Sequence, residues 1–247
     1  MKKPYALILS ILMALGAVLV GAPTASAATH MSPGSNLIIM KRNAVPQTCT
    51  LTTSVTQNGT TYGVTAGHCL LAKNITEIRN IQGRVIASKS DIDAGRTIFR
   101  GNRTNPLPKP ISDYASFRLK PGVYVNNNAI SNDIINPLMF PLDAANKGIE
   151  QAMWGNARVG EPYRIANWMR GKIACKQGNT TGTSCGPILD VDVKNQNVWG
   201  LIPSLPGDSG SPLYIMGGDG KKHIVGQLSG GSTYLFKSYD GLKKHTS

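Results

Sequence analysis

The chain has 247 residues, with 26 Lys+Arg against 13 Asp+Glu for a formal net charge of +13, only four cysteines and 6% aromatic residues. Its basic residues are scattered and its aromatics few, which argues against a nucleic-acid binder. No Cys-x-x-Cys or paired-His spacing points to a metal site, and no cofactor is expected.

The first 27 residues run from Lys2 and Lys3 through an apolar stretch, Ala6 to Val20, to the small residues Ala25-Ser26-Ala27. That order is the one found in a secretory leader cleaved after Ala27, with an uncleaved anchor as the rival reading. No later segment is long and apolar enough to span a membrane. The remaining 220 residues keep 24 Lys+Arg and 13 Asp+Glu, a net +11, which favours attraction to an anionic cell surface or simple solubility. They suffice for one large domain or two small ones sharing an interface, expected as a monomer. An even cysteine count in an exported chain favours two disulfides, and the expected location is extracellular or surface-associated.

Residues 28–47, with "HMSPGSN", read as a mobile lead-in. From there apolar and β-branched runs recur between Gly, Asn and Pro turns: "TLTTSV", "TYGVTA", "GRVIAS", "YASFRL", "GVYV", "PILDVDV", "NVWGLI", "SPLYIM" and "HIVGQL". Strands at that spacing, without long amphipathic helices, predict an all-β sandwich or barrel pair. The asparagine cluster in "YVNNNAISND" marks a boundary, giving a first unit over 48–125 and a second over 126–247. Helix is expected only in "LDAANKGIEQAM" and in the tail "LFKSYDGLKK".

Candidate chemistry lies in three places along this series. His68 ends the strand-like "TYGVTA" beside Cys69, in "TAGHC", where a bond from Cys69 to Cys49 would pin its backbone. Asp113, in "SDYASFRL", stands at the entrance of an apolar run and is favoured as its carboxylate partner over Asp91 and Asp93 of the polar "SKSDIDAG". Ser209, in "LPGDSGSPLY", sits among turn residues before a strand. Serine needs a base to remove its proton, and that base needs a carboxylate to fix its tautomer. Gly207 would let its own N–H and that of Ser209 face one point, as stabilisation of an oxyanion requires. Gly-Asp-Ser-Gly alone is a common turn; the order His, Asp, Ser makes it specific. Ser209, Asp240 and His245 also follow the order of α/β-hydrolases, but Gly-x-Ser-x-Gly is absent and a strand, not a long helix, follows. His223 reads as a surface residue and His245 as a tail residue.

"TAGHC", "SDYA" and "GDSGSPL" resemble the three motifs of trypsin-like, chymotrypsin-fold serine proteases. "CKQGNTTGTSCG", Cys175 to Gly186, is similar to the second-barrel disulfide hairpin of the bacterial streptogrisin and α-lytic protease branch. "LSGGS", Leu228 to Ser232, resembles that branch's substrate-binding strand. The resemblance implies two six-stranded antiparallel β-barrels with the active site in the cleft between them, followed by a short C-terminal helix. It makes His68 the general base, Asp113 its orienting carboxylate, Ser209 the nucleophile, and the Gly207 and Ser209 amides the oxyanion donors. Cys49–Cys69 and Cys175–Cys185 become the disulfides, and Lys176 pairs with a buried Asp208 so that activation by cleavage is unnecessary. Ser229, Gly230 and Gly231 fall on the substrate-binding strand, and Pro203 stands at the pocket base where trypsin carries an aspartate. A protein or peptide substrate with an uncharged or apolar side chain before the cleaved bond is therefore expected. Ser211 replaces a glycine common among relatives, and the segment after "LSGGS" lacks a loop that many carry. The alternative is an inactive protein of the same fold, used as a secreted binding module for an anionic surface or ligand.

Overall fold

The computed structural model describes residues 28–102 and 110–246. The expected leader, 1–27, lies outside the described residues. Among those described, no helix is long and apolar enough to cross a membrane.

The first half contains β1 (Thr29–Met31), β2 (Asn36–Lys41), β3 (Ala44–Thr50), β4 (Thr53–Gln57), β5 (Thr60–Thr65), β6 (Ile75–Arg79), β7 (Val85–Ser88), the one-turn helix α1 (Lys89–Asp93), β8 (Thr97–Arg100), β9 (Ser112–Arg118) and β10 (Val123–Val125). Two four-stranded sheets, ordered β3-β2-β6-β7 and β4-β5-β9-β8, enclose one core that includes Leu37, Ile39, Leu51, Ile78, Ile86 and Phe117. Most of the segment expected to be a mobile lead-in is strand: β1 pairs in parallel with β10, and β2 and the start of β3 belong to the first of these sheets. β2 pairs with both β3 and β6, and its alternate residues Leu37 and Ile39 are wholly buried. The apolar run "NLIIM" determines its fate, because a strand with a buried face fixes its own register. The Pro-Gly-Ser turn before it only redirects the chain.

The second half is a closed six-stranded barrel, β11-β12-β13-β16-β15-β14, formed by β11 (Ile173–Gly178), β12 (Gly182–Asp192), β13 (Asn197–Leu201), β14 (Pro212–Met216), β15 (Lys222–Gly231) and β16 (Phe236–Gly241). Its core gathers Ile165, Met169, Ile188, Val198, Leu213, Val225 and Tyr239. The central helical expectation holds as α2 (Phe140–Trp154). The tail departs from expectation: most of it is strand β16, and only α3 (Lys243–Thr246) is helical. Burial of Tyr239 between β13 and β15 outweighs the helix-permissive composition, as tertiary context commonly does.

Between the barrels, Val64 and Tyr114 of the first pack with Cys175, Tyr214, Ile224 and Leu242 of the second. Polar clamps reinforce that seam. Asn197 on β13 accepts from the Ile111 amide at 3.0 Å and donates to the Ile111 carbonyl at 2.9 Å, and the Thr52 hydroxyl donates to the Gly210 carbonyl at 2.7 Å. The ends of β5, β9 and β15 and the 206–210 turn thereby meet at one cleft.

Candidate active site

His68 lies on a single 3-10 turn, Gly67–Leu70, that follows β5. Gly67 is required there by close approach, since a Cβ at that position would run into the Ile98 carbonyl and lie 2.9 Å from the Tyr114 amide nitrogen. With the turn pressed onto β8 and β9, the His68 amide donates to Asp113 Oδ1 at 2.7 Å. Its ring Nδ1 lies 2.7 Å from Asp113 Oδ2. On the other side of the ring, Nε2 is 2.8 Å from Ser209 Oγ. The side chains of His68 and Asp113 are 5% and 0% exposed, so the bridge is screened from water. The Cys49–Cys69 disulfide ties the residue after His68 to β3.

Asp113 is held from several directions. The Ser229 hydroxyl donates to its Oδ2, Gln227 Nε2 donates to its carbonyl at 2.6 Å, and its own amide donates to Asp240 Oδ2 at 2.8 Å. Asp91 and Asp93, the competing carboxylates, sit on α1 away from His68. Asp91 closes a capping box with Ser88 and pairs with Arg118 at 2.7 Å, while Asp93 pairs with Lys89.

The sequence carries no local hint of Asp240 as a support for Asp113. It is fully buried, and besides the Asp113 amide it meets His245 Nε2 at 2.6 Å and Lys244 Nζ at 3.3 Å. His245 is therefore not a free tail residue. Its ring stacks on Tyr114 with centroids 4.6 Å apart, and it pairs with Asp240 without entering the neighbourhood of Ser209. His223 is likewise buried, its ring stacked 3.6 Å from Tyr163 and its Nε2 2.8 Å from Asp219 Oδ1. A strand position facing the protein interior, rather than the polar residues preceding it, decides its exposure.

Ser209 sits in an irregular turn stitched to its surroundings by backbone bonds. The Thr50 amide donates to the Ser209 carbonyl at 2.8 Å, and the Thr50 hydroxyl donates to the Gly207 carbonyl at 3.1 Å. Gly207 has φ +103°, a conformation open to glycine but strained for other residues. Among the described residues no protein acceptor takes up the Gly207 or Ser209 amide. Ser211 donates its hydroxyl to the Asp208 carbonyl and its amide to the same oxygen at 2.9 Å. The serine that departs from the common glycine thus ties down the turn that presents Ser209.

Asp208 and Lys176 meet in a fully buried pocket behind Ser209, with Nζ 3.1 Å from Oδ2 and both side chains at 0% exposure. The Asp208 carboxylate also accepts from the Thr180 and Thr181 amides at 2.8 and 3.0 Å, from the Thr181 hydroxyl at 2.7 Å and from the Leu205 amide at 2.9 Å. Burial pushes the Lys176 ammonium below its usual range, while the attraction of Asp208 opposes that shift. The hairpin supplying Lys176 has Cys175 and Cys185 directly opposite each other on β11 and β12, joined by the second disulfide.

A cavity of about 410 Å³ opens beside Ser209 and His68. Gly207, Gly230 and Gly231 line it, together with Ser204, Leu205, Pro206 and Lys237. Pro203 is one residue removed from the lining, and Ser229 turns its hydroxyl back to Asp113. The motifs pass over Gln47, Thr48, Ser204 and Lys237 of the lining, Lys237 because it lies in the stretch read as helix. No lining residue is a carboxylate. Among the described residues no cluster of three or more His, Cys, Asp or Glu is arranged to hold a metal ion.

No family model matches the chain, and no curated protein matches it. Solved structures do. The Nocardiopsis protease NAPase superposes with a TM-score of 0.55 at 20% identity, over 87% of this chain and 94% of that one. Thermobifida fusca protease A gives 0.52 at 17% identity over 87% and 94%. A serine protease described as specific for glutamic acid through a histidine triad gives 0.52 at 17% identity over 87% and 95%. The chain has the two-barrel chymotrypsin fold of these bacterial serine proteases.

Proposed function

We propose that this protein is a serine endopeptidase, exported through its leader, that hydrolyses peptide bonds by way of an acyl-enzyme. The observation carrying the reading is the unbroken bridge from Asp113 Oδ2 through the His68 ring to Ser209 Oγ, 2.7 Å and 2.8 Å. In this mechanism Ser209 Oγ attacks the substrate carbonyl as His68 Nε2 takes its proton, and Asp113 holds the tautomer and stabilises the resulting imidazolium. Negative charge develops on the carbonyl oxygen, where the unengaged Gly207 and Ser209 amides receive it. Collapse expels the amine, which takes the proton from His68, and leaves the acyl group on Ser209. Water then repeats the cycle in reverse roles and frees the acid.

Several surroundings support the reading. The Lys176–Asp208 pair buries its charges without a freed N-terminus, so the serine turn needs no cleavage to form. The cavity has no carboxylate to hold a lysine or arginine side chain. Its lysine also bears against the apolar preference expected from sequence. The two disulfides suit an oxidising compartment. A non-catalytic binding module has no use for an imidazole shared between a buried carboxylate and a hydroxyl.

An activated nitrophenyl ester tests the reading. Acylation faster than deacylation is expected to release a burst of about one nitrophenol per protein, lost in Ser209→Ala. Steady release without a burst that survives Ser209→Ala would refute the reading.

A further inference from the structure

We propose that the cavity beside Ser209 selects an acidic side chain, aspartate or glutamate, at the residue whose carbonyl is attacked, and that the Lys237 ammonium is the group that recognises it. The inference rests on the endopeptidase reading of the same site and names its substrate class.

Strand register places this lysine. Lys237 is the second residue of β16, opposite Gly231 of β15 on one side and Gly200 of β13 on the other. Side chains alternate along a strand, so Lys237 shares its face with Tyr239, which is wholly buried in the barrel core. Lys237 is thus directed into the mouth of the barrel. The four-residue connection Ser232–Leu235 keeps this hairpin tight, so the lysine stands directly across from the substrate-binding strand. Gly231 gives it passage: a Cβ there would lie 2.7 Å from Lys237 Cδ. The side chain crosses that glycine to join the cavity lining with Ser209, Gly207 and Gly230.

Charge decides what the lysine is for. Among the described residues no carboxylate lies within ion-pairing distance of Lys237. Asp208 is the acidic group that reaches it electrostatically, but its carboxylate is enclosed by Lys176, Thr180, Thr181 and Leu205. Burial lowers the affinity of Lys237 for its proton, Asp208 works against that and Lys176 with it. The cavity therefore presents a half-desolvated ammonium whose missing partner a substrate carboxylate supplies. An apolar side chain in the same cavity would strip water from that ammonium and return nothing, and a basic one would add repulsion. This departs from the uncharged preference expected from Pro203, because the charge enters from a neighbouring strand and not from the pocket base.

The experiment compares peptides identical except for Glu, Gln, Leu or Lys before the cleaved bond, on wild type, Lys237→Met and Lys237→Arg. Active sites are counted by the ester burst. Wild type is expected to favour Glu over Gln by about tenfold or more in kcat/KM, an isosteric pair that differs in charge. Lys237→Met, which keeps an unbranched stem, is expected to bring the Glu-to-Gln ratio close to one, and Lys237→Arg to retain a preference for Glu. A merely structural role would lower both peptides together and leave the ratio unmoved. A normal burst with Leu or Gln cleaved as well as Glu by the wild type would overturn the specificity while sparing the mechanism. Absence of the burst would overturn the mechanism itself, and the specificity with it.

Discussion

In the proposed mechanism His68 works only if its ring stays between Asp113 and Ser209, and the hydrogen bonds from the His68 amide and the Ser229 hydroxyl hold the Asp113 carboxylate in place for it. Asp113→Asn keeps the shape but reverses a hydrogen-bonding requirement at Nδ1, so kcat is expected to fall by about 10⁴ with little change in folding. Steady-state kinetics beside a thermal melt would separate the two effects, and loss of stability in step with activity would count against an orienting role. Lys176→Met tests the buried pair, because it leaves the Asp208 charge without its counter-ion. A loss of about 3–5 kcal/mol is expected in denaturant unfolding, with smaller loss when Asp208→Asn is added. A variant as stable as wild type would make the pair dispensable. The three motif residues are legible in sequence because each sits in a short segment whose neighbours help to shape it, as Gly67 and Cys69 do around His68 and Gly207 and Ser211 around Ser209. Asp240, Gln227 and Lys237 are not. Each reaches the site from another strand, through a register that no local pattern reports.

The same divide runs through the secondary elements. β9 and β14 are plain in "YASFRL" and "SPLYIM", whereas β16 is hidden in "LFKSYDGLKK", since Lys, Ser and Asp are poor strand formers held in place by β13 and β15. β2 is hidden for a different reason: the Pro-Gly-Ser turn ahead of it reads as the end of a loose lead-in, although the apolar run that follows is what makes the strand. The disulfides show how elements are fastened. Cys49–Cys69 closes a separation of 20 residues, so replacing both by serine is expected to cost roughly 3 kcal/mol in the chain-entropy model and to loosen the His68 turn. Equal stability with and without reductant would contradict that role. Helix α1 carries the pH signature. Burial pushes the Asp91 carboxyl up, but hydrogen bonds from Ser88 and Arg118 and the charge of Lys120 outweigh it and bring its pKa from 3.8 to about 2. Its folded value is the lower one, so its contribution is complete above the unfolded value and disappears as pH falls through about 2. Unfolding at pH 6 is expected to find Asp91→Asn less stable than wild type, with the gap narrowing on acidification. A gap that widens towards low pH would contradict this assignment.

At the scale of the molecule, the proposed catalysis depends on the two halves of the fold meeting in one geometry. His68 and Asp113 come from the first, Ser209 and its amides from the second, and Asn197 clamps Ile111 between them. Two observations converge on the cleft, the motif order in sequence and the bridge of hydrogen bonds in space. The central claim is that Ser209 is an activated nucleophile, and the most direct test is labelling of disulfide-intact protein with a fluorophosphonate, comparing wild type with Ser209→Ala and His68→Ala. The expected result is stoichiometric modification of Ser209 in the wild type and none in either variant. A folded wild-type protein that remains unlabelled would contradict the account.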